Sequence, residues 1–358
     1  MSLRVLHVDP ETRWGGGEVQ VLALLRALQA AGHRQRLAAP ADGPLARAAA
    51  AGGVDVVPLR IANHLDLGAG LRLRRLARDA DVVHFHTARA HAMAPLCRGV
   101  GARLVVTRRM DYVPRGGPYV RWLYGRAVDV VIAISESVRA ALLAAGVPAE
   151  RIRVVASGID PDVCMAPPAA GAALRAQWGV PSDAVLVAVV GVLERRKGQQ
   201  VLLEALATLP ASVRVVLCGA GSAEAALRAA AAPHGDRVVF AGFRRDVAAC
   251  LAAADVVALP SLAEGLGVAA LEAMAASRPV VASRVGGLAE VVVDGESGLL
   301  VPPGDAAALA AALARLAADP TLRARLAAAG RVRVLARYTA ARMAEGTLAC
   351  YSEARCGG

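Results

Sequence analysis

The sequence predicts an α/β protein in which a doubly wound parallel sheet is built twice, as two Rossmann-like domains facing across a cleft. Three observations predict it. Short Val/Leu/Ile runs alternate with Ala-rich helical stretches along the whole chain. The runs are apolar at nearly every position rather than at every second one, as in parallel strands covered by helices on both faces. The 358 residues are enough for two cores at roughly 100–200 residues per domain.

The strands expected in the first half are Arg4–Asp9, Gln35–Ala39, Asp55–Leu59, Val82–Phe85, Arg103–Thr107, Val128–Ile134 and Ile152–Val155. Those of the second half are Val185–Val192, Val213–Cys218, Arg237–Ala241, Val256–Leu259, Val280–Ser283 and Gly298–Val301. The intervening segments read as helices, which gives the β-α alternation of an open doubly wound sheet. A Pro-rich stretch without clean periodicity, Pro161 to Pro168, marks the break. The expected division is a first domain over 1–163, a linker over 164–183 and a second domain over 184–339. From Asp305 onward the Ala-rich tail reads as two or three helices on propensity alone.

Composition narrows the function. Apolar residues make up 56% of the chain, which excludes a disordered protein. The longest uncharged stretch, residues 163–174, holds two prolines and is too short to cross a bilayer. The N-terminus enters a strand with no signal-peptide-like run, so a cytoplasmic protein is expected. Six scattered cysteines (Cys97, Cys164, Cys218, Cys250, Cys350, Cys356) form no C-x-x-C pair and read as buried thiols, not a zinc or disulfide framework. The net charge is +11, of which residues 1–165 carry +8, with 22 Arg against 14 acids. A basic first half suits an anionic partner, including a phosphorylated substrate or the inner face of a membrane. No basic run is interleaved with aromatics, so nucleic acid is not expected. Of 41 basic side chains, 40 are Arg and one is Lys197. A lone lysine points to a place where a compact ammonium is needed.

Four segments carry candidate chemistry. Pro260 to Met274 runs from a strand end through a Gly-containing turn into a helix, which aims the amides around Gly265–Val268 at an anion. Glu264 before that helix and Glu272 within it are placed to accept hydrogen bonds from the hydroxyls of one elongated ligand. Glu194-Arg195-Arg196-Lys197-Gly198 follows the first strand of the second domain, where cations can neutralise a diphosphate. Gly15-Gly16-Gly17-Glu18 is a glycine loop before a helix expected over Val19–Ala30, able to bring amides against phosphate or sugar. His84 and His86 share one strand face, with His86 at the carboxyl end, suited to hydrogen bonding or proton transfer with a substrate hydroxyl. The pair lacks the carboxylates of a convincing metal site. Gly219-Ala220-Gly221 imitates part of a dinucleotide fingerprint but is a lone G-x-G. Ser135 reads as a helix N-cap, with Ser137 a near alternative.

Taken in order, these pieces resemble the retaining glycosyltransferases of family four, the glycosyl transferases group 1, with the GT-B fold. The resemblance runs from the Gly15–Gly17 loop and Asp81–His86 through Ile134-Ser135, Ser157–Asp160, Lys197-Gly198 and Gly242–Val247. It continues over Glu264 and Glu272, with seven residues between them, Pro279–Gly287 and Gly295–Asp305. It implies transfer of a sugar from a UDP-, GDP- or ADP-sugar to a hydroxyl of a glycan, glycolipid or small molecule, with retention, in cell-envelope glycan or glycolipid synthesis. No metal and no cofactor are implied. Lys197 and an adjacent Arg would bind the diphosphate, Glu272 the ribose and Glu264 the sugar. Amides at Leu266, Gly267 and Val268 would hold the distal phosphate, and Phe243 to Asp246 would line the base. Gly16 and Gly17 would close from the first domain, and His86 would touch the sugar near the reacting carbon. The last helix, about 340–358, would pack back on the first domain. Many members have Arg where Val192 stands; relatives acting on lipopolysaccharide cores place Arg directly before Lys, which favours Arg196 over Arg195. Arg108 and Arg109 are expected to face the acceptor, as in such relatives. The alternatives are a sugar-nucleotide epimerase, which needs no acceptor, and a non-catalytic sugar-nucleotide-binding subunit.

Overall fold

The computed structural model describes residues 2–114 and 117–353; Cys356 and the end of the expected last helix lie outside the described residues. The chain divides into two compact units, 1–158 with 340–358, and 159–339.

In the first unit the strands are β1 (Arg4–Val8), β2 (Arg34–Ala39), β3 (Asp55–Pro58), β4 (Val82–Phe85), β5 (Arg103–Arg108), β6 (Val130–Ala133) and β7 (Ile152–Val154). They form a parallel sheet in the order β3-β2-β1-β4-β5-β6-β7. Its helices are α1 (Gly16–Ala30), α2 (Pro44–Ala51), α3 (Leu67–Ala77), α4 (Ala88–His91), α5 (Gly117–Trp122) and α6 (Glu136–Ala144). Local chemistry starts several of them. Asp66, Thr87 and Ser135 accept the amides of Ala69, Ala90 and Val138 as N-caps. The helix α1 begins at Gly16, earlier than the expected Val19, so the glycines belong to its first turn.

The second unit repeats the pattern with β8 (Val185–Val190), β9 (Val213–Cys218), β10 (Val238–Gly242), β11 (Val256–Leu259), β12 (Val280–Ser283) and β13 (Leu299–Val301). Their order is β10-β9-β8-β11-β12-β13, again parallel. The helices are α7 (Pro168–Gln177), α8 (Gln199–Leu206), α9 (Glu224–Ala231), α10 (Val247–Ala253), α11 (Val268–Ala275), α12 (Leu288–Val291), α13 (Ala306–Ala318) and α14 (Pro320–Arg337). Leu202, Leu206, Val215, Leu217, Leu309, Leu313 and Leu316 are buried together in its core. Residues 164–183, expected as a linker, instead carry α7. Pro167 and Pro168 start that helix at positions where a proline costs no hydrogen bond. Leu174 is buried, and Arg175 ties α7 to Asp255 at 2.8 Å.

Beyond the second unit, α15 (Ala340–Glu353) returns to the first. Its Met343, Ala344, Cys350 and Tyr351 are buried with Val5, Leu24 and Leu28 of β1 and α1. In each sheet the strand order reverses once, between β1 and β4 and between β8 and β11. Open α/β sheets bind ligands beyond the carboxyl ends of their strands at such a point.

Candidate active site

In the second unit, the loops leaving β8 and β11 meet at the reversal point. The β8 loop makes a single 3₁₀ turn, Arg195–Lys197, and Gly198 then takes φ +66° to open α8. A Cβ on Gly198 would lie 1.9 Å from the carbonyl oxygen of Pro260, so only glycine lets the two loops touch. The amide of Leu262 donates to the Arg196 carbonyl at 2.7 Å, which closes the contact from the other side. This juxtaposition seats the Lys197 ammonium on the Glu264 carboxylate, both largely shielded from solvent. The Ser261 hydroxyl donates to the same carboxylate at 3.3 Å. Arg196 is half-buried and pairs with Glu194 at 2.9 Å, whereas Arg195 is exposed. Val192 occupies the loop ahead of them, and its carbonyl accepts from Gln199 Nε2 at 2.9 Å.

Past Glu264 the chain turns into α11 through Gly267, at φ +91°. The first amides of α11 have no acceptor within the helix and project from its positive end. Gly287 packs directly beneath, where a Cβ would lie 2.4 Å from the Leu266 Cα. In the second turn stands Glu272. Its carboxylate has no hydrogen-bond or ion-pair partner among the described residues, and burial pushes its pKa up to about 7. Phe243, after Gly242, is 55% exposed, beside the forked pair of Arg244 and Asp246 at 2.5 and 2.8 Å. The G-x-G at 219–221 does a different job from a dinucleotide loop. Cβ atoms there would lie 1.8 Å from the Gly191 carbonyl oxygen and 2.3 Å from that of Leu193, so both glycines let the β9 loop pack on the β8 loop.

In the first unit, the corresponding edge carries Asp9, the Gly15–Gly17 turn, His86 and the end of β5. Asp9 is 1% exposed, and burial raises its carboxyl to about 7. Glu18 is buried beside the glycine turn and raised for the same reason. No Cβ clash forces Gly16 or Gly17, which leaves open space at the start of α1. The imidazoles of His7, His84 and His86 are all buried, with ring nitrogens within 4.8 Å of one another. Those nitrogens are committed to hydrogen bonds. His84 meets Tyr351 OH at 2.7 Å and Thr107 Oγ1 at 2.6 Å; His7 meets Gln35 at 2.7 Å and His86 at 2.9 Å. Burial holds all three rings below the ordinary imidazole pKa, His7 at about 4.

Two sequence profiles account for most of the chain: Glycosyltransferase Family 4 matches residues 14–163 and Glycosyl transferases group 1 matches residues 172–333. An alpha-maltose-1-phosphate synthase of Mycolicibacterium smegmatis is 34% identical over 317 residues, 80% of this chain and 82% of that one. The chain belongs to the group 1 glycosyl transferases. A D-inositol 3-phosphate glycosyltransferase of Xylanimonas cellulosilytica is 42% identical over 198 residues, 52% of this chain and 48% of that protein. The chain thus spans about half the length of the D-inositol 3-phosphate glycosyltransferases it matches. The structure of Anabaena Alr3699/HepE in complex with UDP and glucose superposes with a TM-score of 0.88 at 25% identity, covering 98% of this chain and 100% of that one. WaaG, a glycosyltransferase of lipopolysaccharide biosynthesis, shares the fold at a TM-score of 0.69 and 20% identity, over 96% of this chain and 99% of that one.

For this group 1 glycosyl transferase, the structure gathers Arg196, Lys197, Glu264, Leu266, Gly267, Val268 and Glu272 around one strand-order reversal. In the first unit it departs from expectation at three side chains. The His86 ring, expected to touch the sugar, is 3% exposed with both nitrogens engaged. Arg109, expected to face the acceptor, turns back to donate to the His86 carbonyl at 3.0 Å. Arg108 is 6% exposed and lies over the Tyr112 ring at 4.7 Å. Sequence reasoning did not single out His7, Gln35 or Asp9, which the structure buries beside His86 at this edge. The available signal was that His7 and Asp9 lie two apart on the first strand, on one face and at its carboxyl end.

Proposed function

We propose that this chain transfers a sugar from a nucleoside-diphosphate sugar to a hydroxyl of a glycan, glycolipid or small-molecule acceptor, with retention and without a divalent cation. The reading is carried by the second unit's reversal point: a buried ammonium against Glu264, projecting α11 amides, and the unpartnered Glu272 carboxylate. A carboxylate kept without partners at a raised pKa is suited to accept two ribose hydroxyls, which would supply the donors it lacks. Lys197, Arg196 and the amides of Leu266, Gly267 and Val268 neutralise the diphosphate, the work a metal would otherwise do. Phe243 offers an exposed ring to the base. As the sugar–phosphate bond breaks, its electron pair leaves with the diphosphate. The acceptor oxygen then bonds to the same face of the anomeric carbon, and its proton passes to the departing phosphate oxygen. Gly16 and Gly17, with open space beside them, are the proposed ligand contacts of the first unit.

The UDP, glucose and UDP-glucose complexes of Anabaena Alr3699/HepE support a hexose donor of this class. No helix among the described residues is long and apolar enough to cross a membrane. The exposed Tyr112, Val113, Tyr119 and Trp122, in the basic half of the chain, support peripheral contact with the cytoplasmic face of a membrane.

The test is thermal stabilisation by UDP-, GDP- and ADP-sugars, followed by transfer assays with the best donor in the presence of EDTA. Stabilisation by one donor, with transfer that survives the chelator, is expected. Turnover of donor alone into an isomeric sugar nucleotide would instead indicate an epimerase, and transfer abolished by EDTA and restored by magnesium would overturn the metal-free step.

A further inference from the structure

Exposed apolar side chains and positive charge gather in the same two segments of the first unit. Leu65, Leu67 and Leu71 are 85%, 64% and 55% exposed around the start of α3. Tyr112, Val113, Tyr119 and Trp122 are exposed between the end of β5 and the end of α5. Among the described residues of this unit, the other large apolar side chains so exposed are Leu143 and Val154. Charge follows the same distribution. Residues 60–78 hold five Arg against Asp66, and residues 108–126 hold five Arg against Asp111. Together they carry +8, the whole excess of residues 1–165, whose remaining 12 Arg and 12 acids cancel.

The topology brings the two segments to one side. The connections β3–α3–β4, β4–α4–β5 and β5–α5–β6 all cross the sheet in the same direction. Right-handed crossovers therefore put α3, α4 and α5 on one face, each starting at the carboxyl edge. The helix α3 is bedded on the turn Ala94–Cys97. A Cβ on Gly70 would lie 2.1 Å from Leu96 Cδ1, and Arg74 Nη1 donates to the Leu96 carbonyl at 2.8 Å. With Ala69, Gly70, Leu73 and Ala77 buried, Leu67, Leu71, Arg72 and Arg75 are left on the outer side. Leu65 projects from a pinned loop. Asn63 Oδ1 accepts its amide at 2.8 Å, and the Asp66 carboxylate accepts those of Ala62 and Ala69 at 3.0 and 2.9 Å. These two amides hold the Asp66 carboxyl below the usual carboxylate range, so the one acid among the leucines is committed to the helix start. Arg89 of α4 ties the loop to the edge where ligands bind, with Nη1 on the Ile61 carbonyl at 3.5 Å and Nη2 on that of Pro10 at 3.4 Å.

Single exposed leucines need no explanation, but a group of them among unbalanced arginines does. A second copy of the chain is a poor cover, because a two-fold contact would set +4 against +4. Leucine, tyrosine, tryptophan and arginine side by side suit the boundary between acyl chains and headgroups. We infer that the starts of α3 and α5 form a two-pronged anchor for an anionic phospholipid bilayer. Leu65, Leu67 and Leu71 enter the acyl boundary beside Arg72 and Arg75, and Trp122 enters it from the second prong. The carboxyl edge of the first sheet is thereby turned toward the headgroups. The inference rests on the membrane contact read above for the first unit, and gives it an anchor, a lipid charge and an orientation.

The experiment is flotation of the full chain with vesicles of phosphatidylcholine, alone or with about 30% phosphatidylglycerol. The wild type is expected to float with the anionic vesicles only and to be released as salt is raised. Combining Leu65→Ser, Leu67→Ser and Leu71→Ser should weaken binding at least about thirtyfold. Arg72→Gln and Arg75→Gln should each weaken it about fivefold. All five side chains lie at the surface, so melting temperatures should stay close to the wild type. Brominated lipid in the anionic vesicles should quench tryptophan emission, and most of that quenching should disappear in Trp122→Phe, since Trp14 and Trp178 are half-buried. Wild-type binding that the leucine variant retains would overturn the α3 anchor while leaving membrane contact standing. Quenching unchanged in Trp122→Phe would overturn the second prong. A wild type that never floats would overturn both the anchor and the membrane contact. A wild type dimeric without vesicles, and monomeric as the leucine variant, would assign the leucines to a second copy and overturn the inference. None of these measurements needs a donor, so stabilisation by UDP-, GDP- or ADP-sugars tests the transfer reading separately.

Discussion

Replacing Glu272 with Gln is expected to make the free protein more stable at alkaline pH while removing donor binding. The carboxyl rises from an ordinary 4.5 to about 7 because burial penalises its charge and no partner compensates. At about 1.4 kcal/mol per pH unit, this corresponds to roughly 3 kcal/mol. The folded state binds the proton more tightly than the unfolded chain, so stability is fully present below about pH 4.5. It is lost as pH rises through about 7, and the full cost is present above about pH 8. Glutamine carries no charge but keeps a polar amide in the same place, so about 3 kcal/mol is a ceiling on the gain. For a unit of this size the corresponding rise in melting temperature is about 6–12 °C. Urea and thermal melts of both proteins, at about pH 8 and pH 4.5 and with and without UDP-sugar, measure the effect. The variant should gain only at the higher pH and should lose the stabilisation the ligand gives the wild type. A variant less stable than the wild type at about pH 8, or one stabilised equally at both pH values, would refute the claim that Glu272 is an uncompensated carboxylate awaiting hydroxyl donors.

Lys197→Ala should cut turnover by a factor of about 10²–10³ with the circular dichroism unchanged, and Lys197→Arg should restore little, because a planar fork does not fit the shielded space against Glu264. Turnover of Lys197→Arg near the wild-type level would show that charge alone suffices. Gly198→Ala should destabilise the second unit by on the order of 3 kcal/mol, since its Cβ meets the Pro260 carbonyl and its φ is positive; urea midpoints decide it. Arg196→Ala should weaken donor affinity about tenfold in calorimetric titration, while Arg195→Ala, removing an exposed side chain, stays within about twofold. The reverse ranking would assign the missing cation to Arg195.

The strands were legible because a doubly buried parallel strand writes itself as an uninterrupted apolar run; Val82–Phe85, Val213–Cys218, Val256–Leu259 and Val280–Ser283 match residue for residue. Their pairing was not written anywhere locally. That β1 lies between β2 and β4 follows from long-range packing, and with it the meeting of His7 and His86. Proline misled the reading of 164–183, since the same residue that breaks a helix interior also starts a helix, and α7 is too alanine-rich to show an apolar stripe. That Arg196, Lys197 and Glu264 lie at the carboxyl edge of the second sheet could be read, because each follows a strand in the sequence. The neighbours of His86 in the first unit could not. A buried histidine in an apolar strand looks like any other core position until its partner is in place, and the turn of Arg109 toward His86 depends on a carbonyl supplied by another strand.

The glycines of the second unit's carboxyl edge have a bearing on how such an enzyme changes its preferences. Where main chains touch with no room for a single methyl group, at Gly198, Gly219, Gly221 and Gly287, the neighbouring loops are welded into one shelf. Exchanging the loop after β8, or that after β11, for a homologue's would break contacts with two others. New donor choice in this scaffold is therefore most readily reached by altering side chains on an unchanged backbone, and loop grafting should succeed only when the segments after β8, β9, β11 and β12 are transplanted as a set.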